Sequence, residues 1–303
     1  MLIGIVLFVW ASAFVAIRHG LEIFSAGNLA FLRYLTASVA FIVVAIIKKI
    51  KLPDVKDIPG CIFLGLLGFT LYNLLLNYGE RTVDAGLASF IINTSPFISL
   101  LIVVFRKEEK ISTQDCIGFI IAFSGVGIII FSKNKTVSLN ADALLILGAA
   151  ISQAVYFVLQ KKFLKKYTPL QITSYAVWCG TTILFFFADK PFAAIANADP
   201  NHIFSIIYLG IFPGTIAYLI VAFALAKYKM GNFASYFFLI PFIALGISFL
   251  LLNETPSLIG LLGGLLIILG ILIKNKMIRI KSKRKDHLAE QGDAVEGCDA
   301  TKA

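Results

Sequence analysis

The chain has 303 residues, of which 59% are hydrophobic and only 15% charged, and its mean hydropathy is +0.89. Soluble domains carry roughly 25% charged residues, so this pool cannot furnish a water-facing surface, and an ordinary soluble domain is excluded. The net charge of +10 lies in short basic clusters between apolar blocks, the pattern of loops beside an anionic membrane and not of a nucleic-acid face.

Blocks of about 20 apolar residues match the helix length that crosses a bilayer, and only helices satisfy their own backbone there. Ten spans are predicted, over 2–21, 27–47, 58–79, 84–105, 113–131, 141–160, 169–188, 203–224, 230–252 and 257–275. The first block runs on into Arg18 and further spans follow, so no cleavable signal peptide is expected. Met1 already lies inside that block, which leaves a short preceding tail open. Connections carry cap chemistry: Ser112 with Asp115 three residues on, and Pro256 where a first helical turn would begin. Cys61, Cys116, Cys179 and Cys298 have no metal-ligand spacing and read as small packing residues. After the last span comes a basic run from Lys274 to Lys285, then a polar, acidic tail expected to be disordered.

If residue 1 is cytoplasmic, 20 basic residues fall inside, 13 in connections and 7 in the run after the last span, and only 5 outside, with Arg33 inside a span and Lys302 in the far tail. That asymmetry predicts a multi-pass protein of the cytoplasmic (inner) membrane with both termini inside.

A shift of 145 residues aligns the third to fifth spans on the eighth to tenth without a gap, and the first two spans align less exactly on the sixth and seventh at shifts of about 142 and 143. Leu64-Gly65 falls on Leu209-Gly210, Thr70 on Thr215, Gly86 on Gly231, Pro96-Phe97-Ile98 on Pro241-Phe242-Ile243, and Glu109 on Glu254. Ser112, Gly118 and Gly125 likewise fall on Ser257, Gly263 and Gly270. Five spans per copy is an odd number, so the second copy must enter from the opposite side. The expected fold is therefore an all-α integral membrane protein of ten helices in two inverted five-helix repeats. The repeats occupy 1–131 and 141–275, and the tail 276–303.

These residues also carry a resemblance. Trp10-Ala11-Ser12-Ala13-Phe14, Arg33-Tyr34, Tyr78-Gly79, Ala85 to Ser89, Pro96, Glu109 and the glycine-rich fifth span resemble the drug/metabolite transporter superfamily with two EamA-type domains. Gly231, Pro241, Glu254 and the Gly260–Gly270 span repeat that frame. The halves have diverged, with Ser152 where a match to Trp10 would fall and Ala176 opposite Arg33. The resemblance implies a central cavity between the halves, lined by spans one, three, four, six, eight and nine.

Nothing in the sequence reads as enzymatic. His19, His202 and His287 are scattered, no Ser–His–Asp constellation is legible, and no cofactor or metal is expected. Polar residues in mid-span are functional candidates by default. They are Trp10 and Ser12 on span one, Tyr72, Asn73 and Asn77 on span three, and Asn93 on span four. Gln153, Tyr156 and Gln160 form a stripe on span six, with Thr215 and Tyr218 on span eight and Ser235 on span nine. Singly, each reads equally as an interhelical hydrogen bond or an interface aromatic. Together, on the spans that the resemblance places around the cavity, they favour a polar pathway for substrate. Pro96 and Pro241, at equivalent mid-span positions, lack the N–H that would reach Ile92 and Phe237 and are candidate hinges. Glu22, Glu80, Asp84, Glu109 and Glu254 lie near span ends, so no deep acid is expected. Arg33 is the deepest charge and would meet an anionic group or bond backbone carbonyls, the latter being favoured.

The expected function is secondary transport of a small polar metabolite, an amino acid or related compound, by alternating access, with export the expected direction. Two alternatives stand: uptake or exchange of a nucleoside-like or adenosyl metabolite such as S-adenosylmethionine, and a membrane scaffold or sensor that transports nothing. The expected partners are the solute and the bilayer, not nucleic acid, and a homodimer stays open.

Overall fold

A computed structural model describes residues 2–83, 85–133, 141–240, 243 and 258–274, and every regular element among them is helical. The first half supplies α1 (Leu2–Gly20), α2 (Ala26–Lys48), α3 (Ile58–Gly65), α4 (Tyr72–Gly79), α5 (Ala85–Ile92), α6 (Ser95–Phe105) and α7 (Thr113–Lys133). The second supplies α8 (Ala141–Phe163), α9 (Pro169–Phe185), α10 (Pro191–Ala196), α11 (Pro200–Ile211), α12 (Tyr218–Lys227) and α13 (Met230–Phe237). The last described element is α14 (Leu258–Lys274). Wide π turns, Leu66–Leu71 and Phe212–Ala217, join α3 to α4 and α11 to α12. Among the described residues, five segments are long and apolar enough to cross a membrane: Ala26–Lys48, Val55–Gly79, Leu87–Phe105, Ala141–Phe163 and Pro200–Lys227.

Local chemistry starts and stops these helices. Ser25 caps α2 by accepting the Asn28 N–H, and Lys49 ends it in the left-handed region at φ 49°. Thr168 and Gln171 form a capping box at α9, with Pro169 in the first turn. The Ser112–Asp115 pair expected from sequence forms as well: Asp115 Oδ2 accepts the Ser112 N–H at 2.8 Å. Large apolar side chains such as Ile46, Phe105, Phe186 and Leu258 stand 71–84% exposed, which water would penalise and hydrocarbon does not.

The clearest departure from the predicted spans is their continuity. The sequence predicts spans three and eight as uninterrupted, yet each opens into a π turn in its middle. Pro213 explains one of them, since its missing N–H and its ring do not fit a regular turn. The widened turn rotates the helix beyond it, and Tyr72 and Tyr218 are the first residues of α4 and α12. Span four breaks at Asn93–Thr94, and Pro96 sits in the first turn of the new helix α6, where its missing donor costs nothing. In span nine α13 likewise stops after eight residues, at Phe237, with a turn at Phe238. The short α10, within the connection after span seven, has no counterpart among the predicted elements. Pro241, Glu254, residues 134–140 and the tail lie outside the described residues.

Helices α7 and α14 pack along each other antiparallel, through the glycines of the repeat. A Cβ at Gly118 would lie 2.6 Å from the Gly270 carbonyl oxygen, and one at Gly125 would lie 2.5 Å from that of Gly263. Only glycine allows backbones to approach so closely, as expected of small-residue packing in membranes. The other helices surround a buried aromatic centre of Tyr34, Phe69, Tyr156, Phe157 and Tyr218.

Candidate functional site

In the middle of the bundle is a cavity of about 30 Å³, room for about two waters. One wall is aromatic. Trp10 of α1 meets Tyr218 edge-on with ring centroids 5.6 Å apart and Phe237 of α13 at 5.3 Å. The other wall is polar. Gln153 of α8 accepts a hydrogen bond from Ser95 Oγ at 3.2 Å and donates to the Tyr218 hydroxyl at 3.4 Å. Asn93, at the break in span four, also faces the space, with its amide donating to the Ser89 carbonyl. Tyr72 completes this side.

Arg33 is the decisive lining residue. It is 4% exposed, and its Nη1 donates to Asn73 Oδ1 at 3.2 Å while its buried Nε has no hydrogen-bond partner. The Tyr34 ring lies 5.1 Å from the guanidinium carbon. The role favoured in the sequence is a bond to backbone carbonyls; in the structure the guanidinium donates to the Asn73 side chain instead, and Arg33 is among the residues that line the cavity. A buried charge so incompletely satisfied costs several kcal/mol, and an anionic group would relieve it.

Glu80 stands near a span end, as expected, at the C-cap of α4, but it is buried there, 1% exposed, with both carboxyl oxygens unpartnered. Its nearest counter-charges are Arg33 and Arg18, and neither forms an ion pair with it.

Five of the sequence candidates thus line the cavity: Trp10, Tyr72, Asn93, Gln153 and Tyr218. Asn73 stands behind it and holds Arg33, so its effect passes through that side chain. The remaining described candidates do not line the cavity. Ser12 bonds the Tyr208 hydroxyl at 2.5 Å, tying α1 to α11. Asn77 donates to the Ala26 carbonyl, Gln160 to Thr173 Oγ1, and Thr215 to the Gly210 carbonyl inside its π turn. Tyr156 is wholly buried against Phe69, 5.3 Å away, and does not reach the cavity. The side chain of Ser235 lies outside the described residues. The sequence missed Phe14, Ile17, Leu76, Phe237 and Ile240, which also line the space. In a chain this apolar, an apolar wall has no contrast to reveal it.

A second polar cluster closes the lysine-rich end of the bundle. Glu109, in the connection after α6, accepts from Lys161 Nζ at 2.9 Å, the Met230 N–H at 2.8 Å and the Gly231 N–H at 3.3 Å. One carboxylate from the first half thus caps a helix of the second and pairs with the end of α8. Burial works against the charge on Glu109, but the Met230 N–H, the Lys161 ammonium and the Gly231 N–H outweigh it and hold the carboxyl below the ordinary Glu range.

The cavity is framed by helices from both halves of the chain. The family model of the EamA-like transporters matches residues 1–131 and 141–275. The chain belongs to the EamA-like transporter family. It is a multi-pass membrane transporter of small molecules and not an enzyme. An uncharacterized transporter of Bacillus subtilis (strain 168), YdfC, is 36% identical over 275 residues, covering 89% of this chain and 90% of that protein. A protein of Streptantibioticus cattleyicolor named "Probable terminal-alkyne amino-acid exporter" is 32% identical, covering 88% and 90%. A solved crystal structure with 12% sequence identity superposes with a TM-score of 0.74 over 91% of this chain and 96% of its own, a likeness of fold alone. In this EamA-like transporter, the cavity residues come from both matched segments: Trp10, Arg33, Tyr72 and Asn93 from the first, Gln153, Tyr218 and Phe237 from the second.

Proposed function

We propose that the protein exports a small amino acid or a close relative by alternating access across the cytoplasmic membrane. The observation that carries this reading is Arg33, a buried and incompletely hydrogen-bonded guanidinium in the lining of an otherwise neutral cavity. The fork of Arg suits a substrate carboxylate. The side-chain carbonyls of Gln153 and Asn93 and the faces of Trp10 and Tyr218 suit an ammonium group, and the apolar wall of Phe14, Ile17 and Phe237 a short side chain. The amino-acid exporter among the relatives supports the same class. At about 30 Å³ the cavity is far too small for any amino acid, so these walls part when substrate enters.

Inverted repeats supply two equivalent gates. Their support is the fixed 145-residue offset, the paired π turns, the matched breaks after Ile92 and Phe237, and the antiparallel crossing of α7 and α14. On this reading Glu109 latches the inner gate, and Pro96 and Pro241 are the pivots. The lysine asymmetry puts both termini in the cytoplasm. A cysteine at Lys165 is then protected from an impermeant thiol reagent in intact cells, and rapid labelling there would reverse the orientation.

Thermal stabilisation of the purified protein by a panel of solutes tests the substrate class. Neutral L-amino acids are expected to raise the melting temperature, and the matching amines without a carboxylate are not. Stabilisation by nucleosides alone would favour the adenosyl alternative, which draws on the aromatic wall and makes no use of Arg33. No stabilisation by any solute would favour a scaffold.

A further inference from the structure

Two of the three histidines, His19 and His202, far apart in the sequence, meet at the end of the bundle opposite the lysine-rich one. His19 stands in the last turn of α1 and His202 in the first turn of α11, and their imidazoles stack with centroids 4.2 Å apart. Glu22, in the turn after α1, brings Oε2 to 3.3 Å from His19 Nδ1 and 3.7 Å from His202 Nε2. The three donor atoms all lie within 4.8 Å of one another. A tetrahedral ion with metal–ligand bonds of about 2.0–2.1 Å needs donor–donor edges of roughly 3.3 Å, so the two edges to Glu22 are near that length. The part-exposed His19 ring must turn out of the stack to aim its lone pair at the same ion.

His202 is set for this role. Its Nδ1 faces Asp199 Oδ2 at 3.0 Å, and Asp199 is itself fixed as the N-cap of α11, with Oδ1 accepting the Asn201 N–H. A carboxylate on Nδ1 keeps the ring proton there and leaves Nε2 as a lone-pair donor, the usual outer support of a metal-bound imidazole. That Nε2 is buried, in a side chain only 9% exposed, and has no hydrogen-bond partner. An orphaned lone pair beside a carboxylate and a second imidazole is a costly arrangement that a cation resolves. The side chains of His19 and Glu22 are 40% and 62% exposed, so the cluster can be reached from water.

We infer that His19, Glu22 and His202 form a site for a divalent transition-metal ion of the zinc type, which clamps α1 to α11. Two imidazoles and one carboxylate suit Zn²⁺, Ni²⁺ or Cu²⁺ and not Mg²⁺ or Ca²⁺, which prefer all-oxygen shells. The sequence reading of no metal came from spacing along the chain, which cannot show ligands drawn from two separate halves. α1 belongs to the first EamA-like segment and α11 to the second. A bound ion therefore pins the two halves at the end where, on the alternating-access reading, they must separate. The metal acts as a brake on transport, with the site independent of the substrate.

The test uses tag-free, detergent-purified protein titrated with Zn²⁺ by calorimetry and with Co²⁺ by visible absorption, with Mg²⁺ as control. One ion per chain is expected, with no Mg²⁺ binding. His202→Ala, His19→Ala and the surface change Glu22→Gln should each weaken binding at least tenfold, while melting temperatures without metal stay close to wild type. Because His202 is buried, His19→Ala and Glu22→Gln decide the matter if H202A folds poorly. No stoichiometric binding, or equal binding in both of those variants, overturns the site. These readouts do not depend on transport, so they stand or fall apart from the substrate reading. In proteoliposomes, Zn²⁺ should slow flux several-fold in wild type and leave His19→Ala unaffected; equal flux with and without bound Zn²⁺ would refute the clamp.

Discussion

Replacing Arg33 with Leu is expected to weaken amino-acid binding about ten- to a hundredfold. A charge-assisted hydrogen bond is worth roughly 1.5–3 kcal/mol, and about 1.4 kcal/mol is a factor of ten. The change removes a charge that the fold leaves half satisfied, so the unliganded protein should be no less stable. Arg33→Lys keeps the charge and loses the fork, and should recover only part of the affinity. Asn73→Leu should reproduce a milder form of the defect, since Asn73 Oδ1 holds the guanidinium without facing the cavity. Calorimetry with the best stabilising amino acid reads all three. Wild-type affinity in Arg33→Leu would return the residue to a purely structural role.

Replacing Glu109 with Ala is expected to open the lysine-rich end and to cut turnover tenfold or more while substrate binding persists. The carboxylate makes three contacts across the halves, to Lys161, Met230 and Gly231. A lost helix cap costs about 1 kcal/mol, and a partly buried ion pair adds to that. Two near-equal access states shift in population by an order of magnitude for such a change. The pH dependence has a definite sign. Because the Glu109 carboxyl is held below its ordinary value, the latch contributes fully above that value, near 4.3, and fails only as pH falls through the lower folded value. Acidification from pH 7 to pH 5 should therefore leave it shut. Distance spectroscopy between spin labels near Lys107 and Tyr228 checks the prediction, and the same labels read any change of population in Pro96→Ala. Identical distance distributions in wild type and Glu109→Ala would remove the latch.

Much of this was legible in the sequence because membranes impose strong rules. Blocks of apolar residues, the Ser112–Asp115 cap and the paired glycines of α7 and α14 follow from backbone satisfaction and close packing. Trp10, Tyr72, Asn93, Gln153 and Tyr218 were found because polar and amphipathic groups are rare at that depth. Asn77, Gln160 and Thr215 stand outside the cavity lining, with hydrogen bonds to neighbouring helices or their own turn. A polar group bonded within the bundle and one facing solute look identical in sequence. The π turns left no periodic signal, since one extra residue in a uniformly apolar helix changes no pattern. Glu80 and the His19–His202 pair were missed for another reason: position near a span end does not reveal what another helix lays over it.

The central claim is that Arg33 reads a carboxylate in a cavity that alternates between the two sides. Counterflow in proteoliposomes tests it most directly: vesicles loaded with an unlabelled neutral L-amino acid are diluted into a trace of the labelled compound. The account predicts transient accumulation of label by wild-type protein, none by Arg33→Leu, and no competition from the decarboxylated amine. Absence of accumulation for every amino acid, or accumulation that survives intact in Arg33→Leu, would contradict it.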